Sequence, residues 1–225
     1  MNEVPIAKLM HLLLLVYWLG ADVGTFYAAR FVANAELTVA ARATAARIML
    51  GIDIAPRLCM PLTLATGWWL AIATGALPLP RWTLWAVVAG CAFWLAMVLV
   101  LHYGQGKGTA SSWTSAVVRI DWAFRCGVVF ALAAWLALSW QGSAAPLAPW
   151  LMLKLACFAL TVLCGLMIRI HLKPFGAAFG VLMRAGPDAA INQVIASSIA
   201  RCVPYVVAIW VLLVVAAAAG LHLLG

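Results

Sequence analysis

Long apolar stretches alternate with short breaks along the whole chain. Six of these stretches are long enough to cross a membrane as helices, because a hydrocarbon core about 30 Å thick requires about 20 mainly apolar residues. The breaks at 34–36, 77–80, 104–108, 141–143 and 186–188 contain glycines, prolines or polar residues, which are typical of turns. We predict helices over residues 7–29, 48–76, 82–103, 120–140, 150–171 and 198–224. The predicted fold class is therefore all-α, a single-domain bundle of six transmembrane helices over residues 1–225.

Some of these helices are predicted to begin before the membrane. Residues 36–47 and 188–197 have helical character with mixed polarity, and Asp188 is a suitable N-cap. The even-numbered helices also share a short motif, because segments 52–61, 120–126 and 199–204 each combine an isoleucine, an arginine and a cysteine. This pattern suggests three related helical hairpins.

Composition supports a membrane location. Of the 225 residues, 67% are hydrophobic and only 9% are charged. A soluble domain is normally about a quarter charged and about half apolar. Lipid must therefore be the solvent for most of the surface, and the lipid bilayer is the first predicted partner.

The formal net charge of +8 reports topology. Cytoplasmic connections of membrane proteins carry an excess of lysine and arginine. The first, third and fifth connections contain Arg30, Arg42, Arg47, Lys107, Arg119, Arg169, Lys173, Arg184 and Arg201, whereas the opposite ends contain Lys8, Arg81 and Lys154. We predict a multi-pass protein of a bacterial inner membrane with an uncleaved first helix and both termini in the periplasm. A charge distributed in this way argues against nucleic acid as a partner.

Three polar side chains lie on one stripe of the first helix. Trp18 and Asp22 follow His11 by seven and eleven residues, so at about 100° per residue they share its face. An imidazole, an indole and a carboxylate are disfavoured against lipid, and the stripe is predicted to line an internal site. Asp22 is the candidate for proton transfer.

The remaining histidines fall at two levels of the bundle. His222 lies near the outer face, as His11 does, whereas His102 and His171 lie near the inner face. Each histidine has two interpretations, a cofactor ligand or a hydrogen-bonded packing residue. Lys154 likewise has two: a lysine that extends to the outer interface, or an amine beside a buried cofactor.

Two acid–base pairs are spaced by four residues. Asp53 with Arg57, and Asp121 with Arg125, can each form an intrahelical salt bridge. In the alternative interpretation these arginines, with Arg201, hold an anionic group such as a haem propionate or a phospholipid head group, because the guanidinium group binds carboxylates in bidentate fashion.

The six cysteines lie within predicted helices and form no C-x-x-C pair. Cys59, Cys126 and Cys202 each follow an arginine closely, so three thiols at one depth could bind Cu(I); alternatively, they are small apolar packing residues. Nucleotide-binding loops and the zinc-protease motif H-E-x-x-H are absent from the sequence. ATP-driven transport and zinc proteolysis are therefore not indicated.

Residues 8–11 (KLMH), 17–20 (YWLG) and 26–31 (FYAARF) resemble the first helix of the HemJ-type protoporphyrinogen oxidases. Residues 150–155 (WLMLKL), in a helix that ends in 169–171 (RIH), are similar to that family's lysine helix and to the corresponding helix of CopD-like copper proteins. The resemblance implies haem b ligated by a first-helix histidine and this lysine, here His11 and Lys154. HemJ-type proteins commonly have four core helices, whereas six are predicted for this chain.

These observations together predict a haem b membrane protein that transfers electrons, either to a quinone or in porphyrinogen oxidation, with the question of enzymatic activity left open. His11 is then an axial iron ligand, with Lys154 or His222 opposite and Trp18 against the macrocycle. A second haem between His102 and His171, with propionates on Arg57, Arg125 or Arg201, is an alternative. The rival functions are CopD-like copper transport and a non-enzymatic subunit or assembly factor of a larger membrane complex. A homo-oligomer is also compatible with the sequence.

Overall fold

The structure, a computed structural model, describes residues 3–104, 112–142 and 147–223, which are helical almost throughout and contain no strand. These residues form seven α-helices: α1 (Glu3–Ala33), α2 (Val39–Ile52), α3 (Ile54–Ala73), α4 (Trp82–Gly104), α5 (Ser112–Trp140), α6 (Pro149–Ala185) and α7 (Ala189–Gly220). Since α2 and α3 follow each other directly, the described helices make six segments long and apolar enough to cross a membrane. The predicted all-α fold with six spans is confirmed, and the relation among the three hairpins remains a prediction.

One end of the bundle, where α1 and α6 end and α7 begins, is here called the basic end. At this end, several helices continue beyond their apolar stretches. The largest difference from the prediction is in α6, which does not end at His171 but continues to Ala185. Its 37 residues extend about 55 Å at about 1.5 Å per residue, well beyond a hydrocarbon core of about 30 Å. The apolar pattern marks the part of a helix in lipid, whereas the helical hydrogen bonds continue past it.

The segments predicted to be helical outside the membrane are largely so. Helix α2 covers most of 36–47, and α7 begins at Ala189. The side chain of Asp188 accepts hydrogen bonds from the backbone N–H groups of Ala190 and Ile191, at 2.9 and 3.4 Å. Asp188 is therefore the N-cap of α7, as predicted.

The second span is broken into α2 and α3 beside a proline. A helical proline has no N–H to donate, and its ring crowds the carbonyl group four residues earlier. For Pro56 that residue is Ile52, at which α2 ends. The break leaves Asp53 between the two helices, at the start of the turn that carries Arg57.

The six spans close into a ring. Each span packs against the next along the chain, and α7 returns to pack against α1. The central core takes buried side chains from all six spans, among them Trp18, Met60, Trp94, Val117, Val162 and Leu213. Because α1 lies between α3 and α7, side chains on its inner stripe can contact either neighbour.

A second apolar cluster holds the basic end together. Val32, Met49, Phe175 and Ile195 are buried where α2 packs with the ends of α1, α6 and α7. Arg42 is fully buried beside this cluster. Its Nε donates to the carbonyl oxygen of Val32 at 2.9 Å, and its Nη1 donates to Oδ1 of Asn192 at 2.7 Å. The sequence predicted only that Arg42 belongs to a cytoplasmic connection. In the structure, its two hydrogen bonds join α2 to α1 and α7.

Candidate functional site

A cavity of about 660 Å³ lies at the end of the bundle opposite the basic end. It is lined by α1, α3, α6 and α7, with a contribution from α5. Four of the predicted site residues line it, namely His11, Trp18, Lys154 and His222. The structure thus brings together an imidazole from the first helix with a lysine and a histidine from the far end of the chain.

His11 occupies one wall and is oriented by a threonine of α3. Its Nδ1 lies 2.9 Å from Oγ1 of Thr66. The Thr66 hydroxyl in turn lies 2.8 Å from the carbonyl oxygen of Leu62, to which it donates. We assign the one proton of this hydroxyl to the Leu62 carbonyl, so that Oγ1 accepts a hydrogen bond from Nδ1–H of His11. The neutral ring then carries its proton on Nδ1 and has a free lone pair on Nε2, which is the arrangement found in metal-ligating histidines.

A glycine of α3 makes room for the His11 ring. A Cβ atom at Gly67 would lie 3.1 Å from Cε1 of His11, closer than ordinary van der Waals contact. The ring therefore packs directly against the helix backbone. Thr66 and Gly67 together set both the orientation of the imidazole and its distance from α3.

Lys154 and His222 line the part of the cavity formed by α6 and the end of α7. Nζ of Lys154 lies so close to Gly220, the last residue of α7, that a Cβ atom there would be 2.5 Å from it. Within the described residues, Lys154 has no ion pair and no hydrogen bond. His222 follows α7 in the left-handed region, with φ of 55°, and its ring packs edge-on against Trp150 with centroids 5.1 Å apart.

The remaining surface of the cavity is mainly apolar and aromatic. Trp18 is 1% exposed and packs edge-on against Phe158, with ring centroids 6.5 Å apart. Trp68 and Trp135 lie against each other at 5.4 Å. The lining described here contains no aspartate or glutamate. Its wide aromatic walls suit a large apolar ligand.

Asp22 does not line the cavity. Its Oδ2 accepts a hydrogen bond from Nε1 of Trp210 on α7 at 2.8 Å, and Phe26 packs edge-on against the same indole. His11, Trp18 and Asp22 all face other helices of the bundle, as predicted for this stripe of α1. However, His11 contacts α3, whereas Asp22 contacts α7. Asp22 lies one helical turn beyond Trp18, toward the basic end.

The two predicted intrahelical salt bridges are present near the basic end. Arg57 pairs with Asp53, and both side chains are partly exposed. Nε of Arg125 donates to the two carboxylate oxygens of Asp121 at 3.0 and 3.1 Å. Arg169, on α6, pairs with the same carboxylate.

The arginines proposed as propionate ligands lie away from the cavity. Arg125 is 3% exposed, and its guanidinium group lies 5.0 Å from the ring centroid of Trp94. Arg201 is exposed on α7. Arg57, Arg125 and Arg201 are all absent from the cavity lining. Arg57 and Arg125 are paired with carboxylates and Arg201 lies at the surface, so none of the three faces the cavity.

His102 and His171 also lie outside the cavity. His102 packs edge-on against Tyr103, and His171 stacks on Tyr205 of α7 with centroids 5.4 Å apart. Their helices, α4 and α6, do not pack against each other in the described part of the chain. The structure therefore pairs each histidine with a tyrosine and does not bring the two imidazoles together.

The three thiols considered for copper do not form a cluster. Cys59 is buried in the central core, whereas Cys126 is exposed on α5. Cys202 donates to the carbonyl oxygen of Ser198 at 3.2 Å. Across residues 3–104, 112–142 and 147–223, no group of three or more His, Cys, Asp or Glu side chains could hold a metal ion. The packing interpretation of these cysteines is the one that the structure supports.

Sequence reasoning missed four positions of this site: Thr66, Gly67, Gly220 and Lys8, which lines the cavity on α1. Lys8 and His11 are three residues apart, so the sequence alone could have placed Lys8 on the His11 face. Thr66 and Gly67 carry no such signal, because small residues are common in membrane helices for packing reasons. No protein-family description, curated protein or solved structure matches this chain.

Proposed function

We propose that this protein binds haem b in the cavity and transfers electrons within the membrane, with His11 as an axial ligand. The observation that carries the proposal is the Thr66–His11 hydrogen bond, because it leaves Nε2 of an imidazole free beside a large cavity. Orientation by a partner on the other ring nitrogen is the usual arrangement of a metal-ligating histidine.

The residues present fit such a cofactor. A volume of about 660 Å³ is within the range of roughly 300–1,000 Å³ typical of ligand and cofactor pockets. Trp18, Trp68 and Trp135 offer aromatic surface to a flat macrocycle. Lys154 and His222, which line the same cavity, would be the two candidates for a second iron ligand.

Haem b, when bound, supplies one-electron transfer at its iron. The side chains around it orient and insulate the site. Thr66 holds the His11 ring, and the buried Trp18 with the partly buried Phe158 covers part of the cavity wall with aromatic surface. Asp22, which accepts a hydrogen bond from Trp210 one turn beyond Trp18, would accept or release a proton. Burial and hydrogen bonding to the ligand are general means by which a protein tunes a haem.

The proposed setting is a bacterial inner membrane with the cavity on the periplasmic side. Six apolar spans support a multi-pass membrane location, and the excess of lysine and arginine at the basic end supports this orientation. The proposed redox partner is either a quinone or a porphyrinogen.

The decisive measurement is a visible spectrum of the protein purified in detergent, together with a metal analysis. We expect a reduced-minus-oxidised b-type spectrum and about one iron per chain. His11→Ala should abolish the spectrum, whereas His102→Ala and His171→Ala should leave it unchanged. Colourless protein with bound copper, or with no metal, would reject the haem proposal in favour of copper transport or of a structural subunit, respectively.

A further inference from the structure

The charges that line the cavity are of one sign. Lys8 and Lys154 contribute two ammonium groups, and the described lining has no carboxylate to balance them. The charged pairs nearer the basic end are different, because Arg57 is neutralised by Asp53, and Arg125 and Arg169 share Asp121. Lys8 is exposed and Lys154 is half-buried, so both ammonium groups are accessible to an acidic group of a ligand.

Lys154 is held in a position suited to a charge partner. Gly220 allows its amine to lie against the last turn of α7. The carboxyl end of a helix carries partial negative charge and favours a cation. A protonated amine has no lone pair, so an ammonium group at this position would bind an acidic group and would not ligate a metal.

Lys8 lies on the same wall as the proposed ligand. It precedes His11 by three residues on α1, so the two side chains share one face of the helix, with Lys8 about one turn farther out. The rest of the lining is apolar and aromatic. The cavity thus presents apolar surface together with positive charge on α1 and α6.

From this charge complementarity we infer that the cavity recognises the acidic groups of its ligand through Lys8 and Lys154, and that the ligand class is a tetrapyrrole dicarboxylate. The tetrapyrrole identity rests on the proposed function; the acidic group rests on the two lysines alone. For haem b, Lys8 and Lys154 would hold the propionates, in place of Arg57, Arg125 and Arg201. Lys154 would then be a charge partner, which leaves His222 as the candidate for a second iron ligand beside His11.

The test uses metal-free protoporphyrin IX, so that axial ligation plays no part. The full chain in phosphatidylcholine nanodiscs is titrated with the diacid and with its dimethyl ester, and binding is followed by tryptophan quenching. We expect the diacid to bind tighter by roughly tenfold or more, because a hydrogen bond to a charged group contributes about 1.5–3 kcal/mol. Equal binding of the diacid and the ester would overturn the inference.

Matched variants identify the groups responsible. Lys154→Met and Lys8→Met should each reduce the preference for the diacid, whereas Lys154→Arg should retain it, since arginine keeps the charge but does not ligate iron. Arg81→Met is the control, because Arg81 is an exposed cation at the same end of the bundle outside the cavity lining. An unchanged preference in Lys154→Met, or a Lys154→Arg protein that behaves like Lys154→Met, would contradict the assignment.

Two further outcomes separate the classes of ligand. In a competition experiment, palmitate is added to protein with bound protoporphyrin. If palmitate displaces the protoporphyrin as effectively as additional protoporphyrin does, the tetrapyrrole assignment is refuted. Should Lys154→Met fail to fold, as judged by size-exclusion chromatography, the ester comparison in the wild type and the Lys8→Met protein still decide the question. Purified protein that contains neither haem b nor iron would reject the proposed function. Equal binding of the diacid and the ester would reject recognition of the acidic groups, independently of whether haem is bound.

Discussion

The two ends of the bundle use the same kinds of polar residue in opposite ways. Near the basic end, Arg125 and Arg169 share the fully buried Asp121, and Arg42 donates to two partners on other helices. At the other end, Lys154 and His222 line a cavity of about 660 Å³, and Lys154 has no ionic partner in the part of the chain that the structure describes.

This difference separates polar groups that connect helices from polar groups that face a cavity. A buried charge whose partners lie within the protein connects helices, although Nη2 of Arg42 and Nη2 of Arg125 have no hydrogen-bond partner among the described residues. A polar group that faces a cavity with an open hydrogen-bonding or ligating position has unused capacity. His11 has such an open position at Nε2. Arg57 was also a candidate cofactor ligand in the sequence, but its charge is neutralised by Asp53.

The largest expected effect is on stability at the basic end. Asp121→Ala removes a carboxylate that two arginines share, and leaves Arg125 buried without its ionic partner. Removing one member of a buried ion pair typically costs about 3–5 kcal/mol. We expect a decrease of that order in the free energy of unfolding, measured by denaturant titration in detergent.

Asp53→Ala is the matched control for Asp121→Ala. The side chains of Arg57 and Asp53 are 31% and 27% exposed, and partly exposed pairs of this kind contribute about 0.2–1 kcal/mol. A loss for Asp53→Ala as large as that for Asp121→Ala would show that burial does not separate the two pairs.

The next effect concerns the orientation of His11. Thr66→Val keeps the shape of the side chain but removes the acceptor for Nδ1–H. Loss of such an outer partner typically lowers metal affinity by 10–100-fold, so we expect a decrease of roughly that size in haem affinity, measured by haem titration of the apoprotein. Thr44→Val, at an exposed hydroxyl of α2 that donates to the carbonyl oxygen of Ala40 and lies outside the cavity lining, should bind haem as the wild type does. Equal affinities for Thr66→Val and the wild type would remove the main support for His11 as a ligand.

The smallest effect tests the space behind the same ring. In Gly67→Ala the added methyl group would lie 3.1 Å from Cε1 of His11, so the ring must shift by a few tenths of an ångström. We expect a lower haem affinity than in the wild type, with a smaller loss than for Thr66→Val. Gly20→Ala is the control, because a Cβ atom there has no neighbour within 4 Å. A haem affinity that is unchanged in Gly67→Ala would indicate that the contact does not constrain the ring.

Local sequence patterns predicted the features that depend on one helix. The six spans follow from the length of the apolar stretches, and the N-cap at Asp188 follows from residue type. The Asp53–Arg57 and Asp121–Arg125 pairs follow from spacing, since residues four apart lie on one face of a helix. The inward stripe of His11, Trp18 and Asp22 follows from the same periodicity.

Helix α6 shows where this local reasoning ends. Its apolar stretch stops near His171, but the helix continues because Phe175 and Leu182 are buried against other helices. The hydropathy of a segment predicts its solvent, whereas its packing partners determine how far an ordered helix extends. The additional length could not be deduced from the composition of the segment.

The sequence by itself determined the all-α fold class, the number of apolar spans and the inward face of the first helix, because those properties depend on residues a few positions apart. Only the tertiary structure decided that α7 closes against α1, that Thr66 orients His11, and that Gly220 lets Lys154 reach the cavity. These contacts join residues separated by 55 or more positions, and no local periodicity specifies which helices become neighbours. The candidate site depends on that choice of neighbours, since no single helix contains its donors.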